Sequence, residues 1–264
     1  MTGGRGAAGT ERARGRVPLI AVAHGSQDER SPHAVEQIFD RVRRLRPDLD
    51  VRVAYLDHVS PGAEEALTAV AMEGAGEAVV LPALLTAAYH SKVDLPAVLE
   101  RVRTSCPWLR IRYAATLGPH PLLLKAVERR ITEAGAVAAP DTALVLASAG
   151  SSDAGANAVI EEAAAELAVR KPWRQVVPAY ASAASPTPGE AVARLRDRGA
   201  GRVAVAGYLL APGFFADRVA DQSFAEGAAF VSPALGDAPE LAEVVLQRYG
   251  EALRRSPLFH VAAG

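Results

Sequence analysis

Short apolar runs alternate along the chain with longer stretches in which apolar residues recur at helical spacing. Leu19-Ile20-Ala21-Val22-Ala23 is uninterrupted, Val51 to Leu56 is broken only by Arg52, and Ala78 to Leu85 is again wholly apolar. Runs this short and this apolar predict parallel strands covered on both faces. Between them, Val35, Ile38, Phe39, Val42 and Leu45 mark one face of a helix over 31–45, opened by Ser31-Pro32 as a cap and a first-turn proline. Ser60-Pro61 opens a second helix that ends near Gly74-Ala75-Gly76. A third is predicted over 93–104, a short strand over 109–113, and a fourth helix from His120-Pro121 to about residue 134. Strands that alternate with helices in this way imply a layered α/β fold on a parallel sheet.

After a linker of small residues at 134–141 the pattern starts again. Leu144 to Asp153 repeats Leu19 to Asp28 at an offset of 125 residues. The same offset pairs Ala54-Tyr55 with Ala179-Tyr180, Ser60-Pro61 with Ser185-Pro186, Glu65-Ala66 with Glu190-Ala191, and Leu84-Leu85 with Leu209-Leu210. No gap is needed from Leu19 to Leu85, so the chain is an internal duplication. It divides into two α/β domains with flavodoxin-like layers, 17–134 and 141–255, behind a tail over 1–16 expected to be disordered. An internal pseudo-twofold predicts a monomer, because one chain supplies what a dimer of single copies would.

Composition narrows the partners. The formal net charge is −1, which argues against general nucleic-acid binding. No apolar stretch approaches the ~18 residues of a membrane span. The single cysteine, Cys106, excludes an intrachain disulfide and a cysteine-based zinc site and suits a cytoplasmic protein. Neither a Gly-x-Gly-x-x-Gly turn after the first strand nor a Walker-type Gly-Lys-Ser/Thr is present, so no organic cofactor is expected.

The two copies share core demands, so positions where they differ speak to chemistry. His24 stands opposite Ala149, His90 opposite Phe215, Asp57 opposite Ser182, His58 opposite Ala183, and Lys92 opposite Asp217. His24 follows the first strand and His90 follows the third, at the strand ends where open α/β sheets hold ligands. Two imidazoles with a carboxylate, Asp57, suit divalent iron, cobalt, nickel or zinc and leave coordination positions open. Neutral imidazole also accepts protons near neutral pH. A site that holds a metal and removes protons suits insertion of a metal into a ligand that must lose protons. His33 and His58 are read as facing solvent.

Ala23-His24-Gly25-Ser26, Tyr55-Leu56-Asp57 before Ser60-Pro61, Leu81-Pro82-Ala83-Leu84-Leu85, Tyr89 to Pro96 and Leu117 to Pro121 together resemble the class II chelatases of the CbiX and SirB type, the sirohydrochlorin chelatases. The resemblance covers nearly all of 17–253. It implies two chelatase-like domains facing a tetrapyrrole cleft, with His24 and His90 binding and delivering the metal. The family carries a glutamate where this chain has Asp57, one methylene shorter, so Asp57 is a direct or water-bridged third ligand. The macrocycle's carboxylates call for donors, and Ser26, Arg30, Lys92 and His120 are the substrate-binding candidates; Ser26 and His120 serve equally as helix caps. The implied activity is metal insertion into sirohydrochlorin. Fe²⁺ and siroheme biosynthesis are favoured, Co²⁺ insertion on the cobalamin route is the alternative, and Ni²⁺ is a third substrate. A non-catalytic metal or tetrapyrrole carrier is the reading of another class. A histidine phosphatase would need arginine before its histidine, where this chain has Ala23.

Overall fold

The computed structural model describes residues 16–87 and 93–255. The first half runs β1 (Leu19–Ala23), α1 (Arg30–Leu45), β2 (Val51–Tyr55), α2 (Ala63–Met72), β3 (Glu77–Pro82), α3 (Leu95–Ser105), β4 (Arg110–Tyr113) and α4 (Pro121–Glu133). The second half repeats it as β5 (Thr142–Ser148), α5 (Ala154–Arg170), β6 (Val176–Tyr180), α6 (Pro188–Asp197), β7 (Arg202–Gly207), α7 (Phe214–Ala225), β8 (Phe230–Val231) and α8 (Pro239–Arg254). Each half builds a four-stranded, all-parallel sheet, ordered β2-β1-β3-β4 and β6-β5-β7-β8. Both orders reverse direction beside the first strand of the half, and the crevice at that switch point receives ligands in open α/β sheets.

The apolar runs are buried on both faces, as their composition predicts. Ile20 and Val22 pack into a core with α2 and α3, while Leu19, Ala21 and Ala23 face the opposite way. That second face does not belong to the first half alone. Leu19 and Ala21 share one core with Leu144 and Leu146 of β5 and with Leu241 and Val245 of α8. The reason is an exchange of helices. α8 packs on β3, β4 and α1 of the first half, and α4 packs on β7 of the second.

Reciprocal hydrogen bonds lock the exchange. Arg248 on α8 donates to the carbonyls of Thr116 (2.9 Å) and Pro119 (2.8 Å). Arg130 on α4 donates to the Leu235 carbonyl at 3.0 and 2.8 Å. Arg129 on α4 adds a bidentate pair with the nearly buried Glu240 at the start of α8, its shortest contact 2.7 Å. Tyr249 on α8 reaches the Val17 carbonyl ahead of β1 at 2.7 Å. The two copies therefore form one packed body.

Element bounds differ from the sequence expectation in several places. α1 begins at Arg30, with Ser31-Pro32 inside its first turn. The Asp28 carboxylate, not Ser31, accepts from the Arg30 backbone N–H, at 3.0 Å. α2 begins only at Ala63, and the Gly62 N–H donates to Glu65 at 3.3 Å. The repeat preserves that last device: Thr187 and Glu190 at the start of α6 exchange hydrogen bonds of 3.0 and 3.3 Å. β3 stops at Pro82 rather than running to Leu85; proline has no N–H to extend the ladder.

Candidate functional site

β1 ends at Ala23, and the chain turns at Gly25 with φ +92°. A side chain there would be strained by backbone conformation alone. It would also collide with the neighbouring loop, because a Cβ on Gly25 would lie 1.8 Å from the Asp57 carbonyl oxygen. The two loops are bonded as well as close: the Asp57 N–H donates to the His24 carbonyl at 3.0 Å. In the second copy Gly150 has φ +83°, its Cβ would lie 2.0 Å from the Ser182 carbonyl, and the Ser182 N–H donates to Ala149 at 2.8 Å. His58 and Ala183, at matching positions, both hold a left-handed backbone, at φ 62° and 57°. The loop pair is thus one scaffold built twice. Only the side chains mounted on it differ.

That scaffold borders a cleft of about 1130 Å³ between the halves. His24, Ser26 and His58 line it from the first copy, and Ala149, Ser151 and Phe215 line it from the second. Its volume lies above the ~300–1,000 Å³ usual for small-molecule pockets, which suits a large ligand. His24 is exposed. Its Nδ1 lies 3.1 Å from the Gly25 carbonyl. A carbonyl only accepts, so this contact is a hydrogen bond only in the tautomer protonated at Nδ1, the tautomer in which Nε2 carries the lone pair that a divalent metal or a departing proton requires.

Asp57 is exposed and tied to its neighbour. One carboxylate oxygen accepts from the His58 N–H at 2.8 Å, and the other lies 3.3 Å from His58 Nε2. Asp57 is not part of the cleft wall, whereas His58 is. His58 is exposed, as read, and it also borders the cleft, at a left-handed turn with φ 62°. The signal was present in the sequence, since His58 is one of the polar residues absent from the second copy. His33 is exposed, as read, and contacts Gln37 at 3.0 Å. Among the described residues no three of histidine, cysteine, aspartate and glutamate converge on one point. His90 and Lys92 lie outside the described residues.

The other candidates separate. Ser26 borders the cleft, and its Oγ accepts from the Asp28 N–H at 3.1 Å; Ser151 does the same for Asp153 at 3.0 Å. The serine therefore shapes the turn in both copies. Arg30 bridges the halves, bonded to Asp28 at 3.0 Å through Nε and to Asp217 at 2.6 and 3.2 Å. Its hydrogen bond to Asp28 holds that carboxyl below its ordinary pKa. A substrate carboxylate would have to displace Asp217 to take Arg30. His120 stands outside the cleft. Its Nδ1 accepts from the Leu122 N–H at 3.1 Å as the cap of α4, and its Nε2 meets Gln247 of α8 at 3.0 Å. One ring nitrogen caps α4 and the other ties α4 to α8. His120 lines a separate small pocket of about 160 Å³ with Glu162, Glu166 and Tyr208.

A family model described as CbiX matches the chain twice, over 18–134 and 143–252. A sirohydrochlorin ferrochelatase of Priestia megaterium is 27% identical over 207 residues, covering 77% of each chain. A sirohydrochlorin cobaltochelatase of the same organism is 26% identical over 208 residues, covering 76% of this chain and 66% of that protein; the match spans just under two thirds of its length. Among solved structures, SirB from Bacillus subtilis with Fe³⁺ superposes with a TM-score of 0.78 at 25% identity, covering 90% of this chain and 96% of that one.

Proposed function

From the premise that the chain belongs to the CbiX family, through both of its copies, we propose that it is a chelatase inserting a divalent metal into sirohydrochlorin. The observation that carries this reading is His24, exposed at the end of β1 on the wall of a cleft whose other wall belongs to the sister copy. The relatives named for iron and for cobalt insertion support metal as the substrate. Fe²⁺ is our first choice, with Co²⁺ and Ni²⁺ the alternatives, since imidazole accepts all three.

His24 Nε2 takes the incoming metal ion, and His90 is its partner ligand. Insertion forms metal–nitrogen bonds, releases the two inner pyrrole protons, and frees the metal from imidazole. A freed imidazole is then a proton acceptor at the place where protons leave. His58, beside His24 on the same wall and partnered by Asp57, is a second acceptor. The sister copy contributes an apolar wall that keeps bulk water from the exchange. One chain supplies both walls, so a monomer suffices. No organic cofactor enters this mechanism. The single thiol, Cys106, is buried and free, in keeping with a cytoplasmic site of action.

The test is the rate of Fe²⁺, Co²⁺ and Ni²⁺ insertion under anaerobic conditions, followed by absorbance, for the parent and for His24→Ala. A parent rate well above the uncatalysed one, lost in His24→Ala, is expected. Tight metal binding with no rate enhancement would leave a carrier and refute the chelatase.

A further inference from the structure

The second copy has not simply lost its metal-site residues at the cleft. Where the first copy has His90, it has Phe215, preceded by Phe214. Both rings line the cleft at the start of α7. Both are large apolar side chains left exposed, Phe214 at 66% and Phe215 at 39%. The two rings sit edge to face, centroids 5.4 Å apart at 69°. The surface around them is apolar too, with Leu209, Leu210 and Ala211 on the same wall.

This aromatic pair is also held in position. Gly213, at φ +141°, turns the chain into α7 within reach of Asp28. Asp217, two residues after Phe215, is bonded to Arg30 of the first copy at 2.6 Å. The start of α7 is therefore pinned to the loop that follows His24. An exposed aromatic surface costs solvation unless something covers it, and one placed in a concave, pinned site serves a ligand.

We infer that Phe214 and Phe215 form an aromatic platform for one face of the tetrapyrrole macrocycle, one ring stacking on it and the other, set at 69° to the first, meeting it edge-on; the macrocycle presents its opposite face to His24. The inference rests on the chelatase reading for the identity of the occupant. It follows from the shape of the cleft: a planar conjugated ring needs an apolar, aromatic surface to cover its face, and its peripheral carboxylates need an open rim. One wall is aromatic, and the other carries His24 and His58. The metal then enters from the first copy's side only. The duplication has divided labour, with one copy delivering metal and the other holding the ring.

The test is the affinity for metal-free sirohydrochlorin, titrated anaerobically by its fluorescence with no metal added, together with KM and kcat for Co²⁺ insertion. Phe215→Ala is expected to weaken binding about 10-fold, and the Phe214→Ala/Phe215→Ala double variant more, the scale of one lost aromatic stack with its buried area. KM should rise in step while kcat holds within about 2-fold, as for an interaction made equally in the ground and transition states. Phe215→Tyr, which keeps the ring, should restore parental affinity. Phe224→Ala, on the same helix and 55% exposed but outside the cleft wall, should change nothing. Parental affinity in the double variant, with an unchanged thermal transition, would overturn the platform. A parent chain that binds sirohydrochlorin in a Phe215-dependent way yet inserts no metal would overturn the chelatase reading and leave the platform standing. A parent chain with no affinity for sirohydrochlorin would overturn both.

Discussion

Gly25→Ala tests whether the scaffold under His24 is as tight as its geometry implies. Two costs add. A left-handed backbone at a residue with a Cβ costs about 1–2 kcal/mol, and φ at Gly25 is +92°. The new methyl would also lie 1.8 Å from the Asp57 carbonyl oxygen, so one loop must move. Overpacking of this kind costs about 1–3 kcal/mol. The sum, about 2–5 kcal/mol, is a large share of the ~5–15 kcal/mol of a typical fold, and it predicts a melting temperature lower by about 4–20 °C. Gly150→Ala is the internal control for function. Its backbone angle is +83° and its clash with Ser182 is 2.0 Å, so its stability loss should match. Yet the loop it displaces carries Ala149 where the first copy has His24, the proposed metal ligand. Thermal unfolding of both variants should show similar losses, while insertion assays below the transition should show the larger fall in kcat for Gly25→Ala. Gly62→Ala, at φ −70° with nothing within 4 Å, should change stability by less than about 1 kcal/mol. A Gly25→Ala protein with parental melting and parental kcat would refute the argument.

Further outcomes follow from the helix exchange and the titrating groups. Arg248→Ala removes hydrogen bonds to Thr116 and Pro119 across the halves and should cost about 2–4 kcal/mol in denaturant unfolding; Arg130→Ala should act in the same direction, whereas Arg101→Ala, at an exposed ion pair with Glu64, should cost under about 1 kcal/mol. His120 has its pKa lowered, chiefly by burial. The unfolded chain therefore binds its proton first as pH falls. Its contribution to stability is present above about pH 6.5 and is lost as pH drops through the lower folded value. Against the parent, His120→Asn, which keeps a capping side chain, should flatten the stability profile in that window, as read by melting temperature against pH. Arg30→Ala breaks the bridge between Asp28 and Asp217 and should raise KM for the tetrapyrrole, through the freed α7 start and the lost cation, with little change in melting temperature because the bridge is solvent-exposed.

Much of the site could be read from the chain alone because the chain contains its own comparison. His24 was identified from Ala149 and from its place after β1, and the structure puts it on the cleft wall. His58 carried the same signal, a polar residue replaced in the repeat, and the structure puts it on the cleft wall at a left-handed turn that no periodicity encodes. Arg30 looked like a carboxylate receptor by charge; its partners, Asp28 and Asp217, are respectively local and 187 residues away. His120 read equally as a cap or a substrate contact, and its Gln247 partner on α8 exists only because that helix crosses to the other half.

The sequence by itself determined the strands, the helices, their parallel layering and the duplication. Those are encoded locally, in apolar runs, 3.6-residue periodicity and a constant offset. Only the tertiary structure decided which sheet each terminal helix covers. α4 and α8 are amphipathic in the same way whether they fold back on their own sheet or cross to the other, so no local pattern distinguishes the two. The choice is made by contacts between distant residues, such as Arg130 with Leu235 and Arg248 with Thr116. Those contacts join two similar domains into one body and place an aromatic wall opposite a histidine.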